Sequence, residues 1–102
     1  MEILKVNLKD ESAALKELWS LKQVAGVNDH VVNMAKIKGE FEMHTHENGE
    51  KLFYVVEGVL FIEFADGDSI EVGTGEFVVI PKGSWHKPYA KEETTILFFE
   101  SR

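Results

Sequence analysis

Five short runs of β-branched and aromatic residues, separated by glycine-bearing turns, crowd the second half of this chain and leave room for little except sheet. The runs are Lys51 to Val56 (KLFYVV), Val59 to Ala65 (VLFIEFA), Ser69 to Val72 (SIEV), Phe77 to Ile80 (FVVI) and Thr94 to Phe99 (TTILFF). Between and before them lie Asn48-Gly49, Gly58, Asp66-Gly67, Gly73-Thr74-Gly75 and Pro81-Lys82-Gly83, each a turn signal. Regularly spaced strands of this length predict an all-β sandwich or barrel. Val31 to Met43 mixes β-branched and alternating residues in the same way, after a turn at Val27-Asn28-Asp29, so everything beyond residue 30 reads as β. Ahead of it, Leu15, Leu18 and Trp19 stand at helical spacing, which predicts one short helix over residues 10–19 with Asp10 or Ser12 as N-cap. The chain thus divides into an N-terminal strand and helix arm, residues 1–26, and a β-barrel, residues 27–102, within one domain.

Two of the runs are apolar on both faces. Leu60, Ile62 and Phe64 can face a core while Val59 and Phe61 face away, and Leu52, Tyr54 and Val56 are as apolar as Phe53 and Val55. Large bare apolar faces are rare on monomers, so the arm or a second subunit must cover them, and a homodimer is expected. A chain of 102 residues forms one small domain, which gains from such cover.

The formal net charge of −7, with no lysine or arginine cluster, makes nucleic acid a poor partner and favours cations. Cysteine is absent, which removes disulfides, thiolate ligands and a cysteine nucleophile together. The start of the chain has no basic segment leading into a long apolar run, and no segment is apolar enough to span a bilayer. A soluble, cytoplasmic protein with no membrane partner is the expectation.

His44-Thr45-His46 and Pro81-Lys82-Gly83-Ser84-Trp85-His86 carry the chemistry. Imidazoles at i and i+2 of a strand point to one face, and a third histidine presented by a Pro/Gly turn can close on them. Such a triad outlines a metal site. These segments resemble the cupin superfamily, small double-stranded β-helix barrels related to jelly rolls. The family's first motif, G-x5-H-x-H-x(3,4)-E-x6-G, is met by Gly39, His44, His46 and Gly58, one residue short between Gly39 and His44. Its second, G-x5-P-x-G-x2-H-x3-N, is met by Gly75, Pro81, Gly83 and His86, with Ala90 in place of the final Asn. The resemblance implies a cupin (jelly-roll) barrel with His44, His46 and His86 as metal ligands. Neutral imidazoles suit Fe, Mn, Ni, Zn or Cu, so the ligand type does not select among them.

One position departs from the family pattern in a way that bears on chemistry. Counting from His46 or back from Gly58, the place of the family's glutamate ligand falls on Lys51, while Glu50 beside it points to the opposite face of a strand. An ammonium about 5 Å from a dication is repelled by roughly 6 to 7 kcal/mol at an effective dielectric near 20. Lys51 must therefore swing to solvent, lose its proton, or be neutralised by a carboxylate or a bound anion. Glu42, which shares parity with the two histidines, and Trp85, which precedes His86, are further candidates to contact a ligand. His30 lies outside both motifs and reads as an ordinary histidine.

The best-supported function is a metal-binding cupin whose three-His site holds a small, anionic molecule beside the metal. The alternatives are a three-His non-haem metalloenzyme, of dioxygenase or isomerase/lyase type, and a metal-free structural barrel. The residues leave catalysis open.

Overall fold

The computed structural model describes residues 2–47 and 49–102, so Met1 and Asn48, half of the predicted Asn48-Gly49 turn, lie outside the described residues. Among those described, one helix, α1 (Leu8–Ala14), precedes β1 (Lys22–Val27), β2 (His30–Glu40), β3 (Lys51–Glu57), β4 (Val59–Phe64), β5 (Ser69–Gly73), β6 (Phe77–Ile80) and β7 (His86–Ser101). The pairings between these strands are antiparallel, in the order β1-β2-β7-β3-β6, with β4 joined to both β5 and β7. The fold is a jelly-roll barrel of the predicted class.

The 16-residue β7 organises the barrel. Its first part pairs with β4, from Phe61↔Tyr89 to Phe64↔His86, and its last part with β3, from Leu52↔Phe99 to Glu57↔Thr95. Along its flank runs β2, with a register shift between Ile37 and Gly39 where β7 passes from one neighbour to the other. One strand therefore carries a site histidine at its start and lies beside the base of the Lys51 strand at its end.

Alternation sorts the side chains. Ala35, Ile37, Phe53, Val55, Leu60, Ile62, Ile80, Ile96 and Phe98 face inward and belong to the main core, each at most 3% exposed. The opposite faces of β2, β7 and β3 hold a second cluster of Val32, Met34 and Leu97, against which Leu8 and Leu15 of the arm, Val24 and Ala25 of β1, and Tyr54 and Val56 of β3 pack. The arm thus covers part of the second apolar face. Beyond its reach Val79, Leu52 and Phe99 stand in register across β6, β3 and β7, and Val79, Phe99 and neighbouring Phe77 are exposed.

Helix α1 differs from the expected span. It begins earlier because Asn7, not Asp10 or Ser12, is the N-cap, its side-chain oxygen accepting from the Asp10 amide at 3.0 Å. It ends at Ala14 because the downstream residues bond to β2 from non-helical chain: Leu18 bridges Lys36, and Trp19 adopts φ 63° with its amide donating to the Lys36 carbonyl at 2.8 Å. Their spacing is helical, but the docking surface is a sheet. Residues 22–27, of which 22–26 read as part of the arm and Val27 as a turn, pair with β2 as a seventh strand.

Gly58 shows why the tight β3–β4 link needs glycine. Its φ is 108°, and a Cβ there would lie 2.5 Å from Thr94 Oγ1 and 3.0 Å from the Thr94 Cα. Neither the backbone conformation nor the space admits a side chain.

Candidate metal centre

His44 and His86 meet through their backbones before their rings. Each donates its amide to the other's carbonyl at 2.9 Å, an isolated antiparallel bridge that sets both side chains on one face. The Pro81–Ser84 turn, closed by the Ser84 amide on the Pro81 carbonyl at 3.2 Å, feeds His86 into this bridge. Gly83 adopts φ 80° within it, a conformation a type II turn requires, and donates its amide to the His46 carbonyl at 2.9 Å. The predicted turn therefore ties the second motif to both histidines of the first.

The three imidazoles come together. Ring centroids lie 4.8 Å apart for His44 and His46, 4.6 Å for His44 and His86, and 5.5 Å for His46 and His86. Their candidate ligand nitrogens all fall within 4.8 Å of one another. The hydrogen bonds fix which nitrogen is free: His44 Nδ1 donates to the Glu42 carbonyl at 2.9 Å and His86 Nδ1 to the Ser84 carbonyl at 3.0 Å. A carbonyl only accepts, so each Nε2 holds the lone pair, the arrangement that prepares a histidine for a metal.

The donor set fits a transition-metal ion. His86 is fully buried, and its Nε2 has no hydrogen-bond partner, one of two such buried side-chain atoms among the described residues; Thr45 Oγ1 is the other. A buried polar atom left unpaired costs about 1 to 3 kcal/mol, which an ion on that lone pair would remove. Ligand nitrogens about 2.0 to 2.1 Å from one ion lie roughly 3 Å apart. His44 Nε2 and His46 Nε2 are already 3.1 Å apart. The environment also favours the neutral form of two of the rings. Burial, then Lys51, then the neighbouring histidines push His46 down to about 4, and burial pushes His86 down against the opposing hydrogen bond to Ser84.

Lys51 points inward. Its Nζ lies 3.4 Å from His46 Nε2, 5.1 Å from the centre of the Phe53 ring and 4.6 Å from that of Phe98. Burial lowers its pKa from the ordinary lysine value, and Glu100 opposes that shift. Continuing the Leu52↔Phe99 register by one step places Glu100 across from Lys51, and the Asn33 amide holds the Glu100 carboxylate at 3.1 Å. This glutamate was missed because the last run was ended at Phe99; the inward parity of Ile96 and Phe98 leads directly to it.

The other three ligand-contact candidates do not reach the site. Glu42 contributes only its carbonyl, and its side chain is exposed, because β2 ends at Glu40 and the strand parity used to aim it ends there too. Glu50 is exposed and does not line the cavity. Trp85 is 53% exposed and does not line the cavity. His30, at the start of β2, sits 3.7 Å from Asp29 Oδ1 and is not part of the histidine cluster. In their place stand Trp19 and Phe41, stacked with ring centres 5.3 Å apart, and Phe41 meets the His44 ring edge-on at 5.3 Å.

These groups border a cavity of about 330 Å³ whose wall includes His44, His46, Lys51 and Glu100. Among the described residues no helix is long and apolar enough to cross a membrane.

Comparison with known proteins agrees with this architecture. The family pattern described as a cupin domain matches residues 30–100. YdbB of Bacillus subtilis, an uncharacterized protein, is 32% identical over 96 residues, spanning 94% of this chain and 85% of its own. The crystal structure of a cupin-2 domain containing protein from Shewanella frigidimarina superposes with a TM-score of 0.92 at 40% identity, covering 95% of this chain and 94% of the other. That of a Neisseria meningitidis protein gives 0.89 at 30% identity, covering 97% and 100%. With its barrel, both motifs and three clustered histidines, this chain belongs to the cupin superfamily.

Proposed function

We propose that the chain binds one divalent transition metal through His44, His46 and His86 and presents a small anionic ligand to the side of that metal where Lys51 stands. The observation that carries this reading is the placement of Lys51 Nζ inside the cavity, 3.4 Å from His46 Nε2. A cation so close to a dication needs a compensating negative charge, and Glu100 is bound on its far side by Asn33. An anion lying between metal and ammonium satisfies both. A catalytic reading would need a base within reach of that ligand, and among the cavity-lining residues the carboxylate is Glu100, not Glu42 or Glu50.

The test begins with metal content of untagged protein. Less than about a tenth of an equivalent, with no uptake on titration, overturns the metal half of the proposal. With zinc loaded, acetate and inorganic phosphate are titrated calorimetrically. Lys51→Met is expected to weaken the bound anion at least about tenfold, the scale of a charge-assisted hydrogen bond. Equal affinities in the two proteins overturn the anion half.

We also propose that a second copy of the chain covers the bare face of Phe77, Val79 and Phe99, the part of the doubly apolar sheet that the arm leaves exposed. Light scattering at micromolar concentration is expected to give the mass of two chains, and a one-chain mass overturns it.

A further inference from the structure

The cavity is chemically two-sided. His44, His46, Lys51 and Glu100 gather at one end, whereas Trp19, Leu21, Ile37, Phe41, Pro88 and Ile96 offer almost nothing but hydrocarbon and aromatic surface. The apolar wall starts one ring away from the triad, since Phe41 touches His44 edge-on and Trp19 stacks on Phe41 with an interplanar angle of 24°. Trp19 is fixed there. Its backbone occupies the left-handed region, costly for a bulky residue, and two bonds to β2 hold it: its amide to the Lys36 carbonyl and its Nε1 to the Lys38 carbonyl at 2.9 Å. Even so, Phe41 is 42% and Leu21 61% exposed, so the wall presents apolar surface that the other described residues leave uncovered.

We infer that the ligand is an amphiphilic monoanion, a carboxylate bound at the Lys51 end with an apolar body lying along the Trp19–Phe41 wall. This deepens the anion reading above and rests on it. A cavity of about 330 Å³ accommodates a body of roughly ten to fifteen non-hydrogen atoms. A sugar or other polyhydroxylated body is disfavoured, because each hydroxyl set against this wall would lose water without gaining a partner. A second anionic group is disfavoured by Glu100, whose charge already occupies the polar end.

Zinc-loaded protein is titrated calorimetrically with acetate, butanoate, hexanoate and octanoate, and with the matching primary alcohols. Affinity of the carboxylates is expected to rise about three- to fourfold per added methylene, the factor for burying that group. In Trp85→Phe protein, whose remaining tryptophan is Trp19, the longer carboxylates change the emission and acetate does not. Phe41→Ala, at a half-exposed position, and Trp19→Ala are each expected to cut the gain to below about twofold per methylene. A flat series in which acetate still depends on Lys51 overturns the amphiphile and leaves the anion site standing. A gain shared equally by alcohols and carboxylates, indifferent to Lys51→Met, overturns the anion reading and with it the monoanion. A gain that persists in both wall variants overturns the assignment of the wall.

Discussion

Replacing His86 by phenylalanine is expected to abolish metal binding while leaving the metal-free barrel about as stable as before. Both halves follow from the same atom. His86 is fully buried, and its Nε2 faces the triad with no hydrogen-bond partner, so the metal-free protein carries an uncompensated polar group that a phenyl ring does not. The ring itself is wanted: it lies against His44 at 4.6 Å and meets Phe53 nearly edge-on at 6.3 Å between centres. Phenylalanine keeps that packing and loses the bond to the Ser84 carbonyl, so stability should stay within about 1 kcal/mol. His86→Ala keeps neither and should cost about 2 to 4 kcal/mol through the void it leaves. Metal affinity should fall more than about a hundredfold in both, beyond the loss typical of removing a group that merely orients a ligand. Metal analysis after dialysis, with thermal melts in chelator, reads the two effects separately. A full equivalent of metal on the phenylalanine variant would remove His86 from the ligand set.

How far residues alone lead to this site depends on whether the chain keeps its period. Phe77–Ile80 was bounded correctly, and β3, β4 and β5 to within a residue at each end, because alternating apolar residues and glycine turns mark them. His44, His46 and His86 followed from the spacing of two motifs, since the bridge that joins them is local to those motifs. The arm was harder. Leu15, Leu18 and Trp19 repeat as a helix does, but Leu15 packs on the outer cluster, Leu18 bridges Lys36 from an exposed position and Trp19 packs against the inner core, so tertiary contact overrode the local pattern. The start of β7 was hidden by Pro88 and by the exposed run Lys91-Glu92-Glu93, which reads as a loop until β4 and β2 are seen on either side. Glu42 failed for the opposite reason: parity was extended through residues 41–43, where the strand has already ended. Trp19 and Phe41 had no chemical signature of their own. Only the barrel's closure brings them beside His44.

Lys51→Glu is expected to raise metal affinity by at least about a hundredfold and to abolish anion binding in the same step. Residue 51 faces inward between Ile80 and the Glu100 position, where the family pattern places its acidic ligand. The lysine ammonium sits 3.4 Å from His46 Nε2, so it crowds the nitrogen a metal would use and repels the ion as well. A carboxylate there reverses the sign of that interaction and supplies an oxygen ligand; even heavily screened, the change far exceeds the ~2.7 kcal/mol that a hundredfold represents. The metal-free variant, by contrast, should be less stable than the parent, because it sets two carboxylates, Glu100 and the new one, across neighbouring strands. Loading the metal relieves that repulsion. The gap between melting temperatures with metal and with chelator should therefore widen well beyond that of the parent. Competition against a chelator of known affinity measures the first effect and paired thermal melts the second. Unchanged affinity would mean that the lysine is not held against the triad in solution, and the anion site built on it would fall with that result.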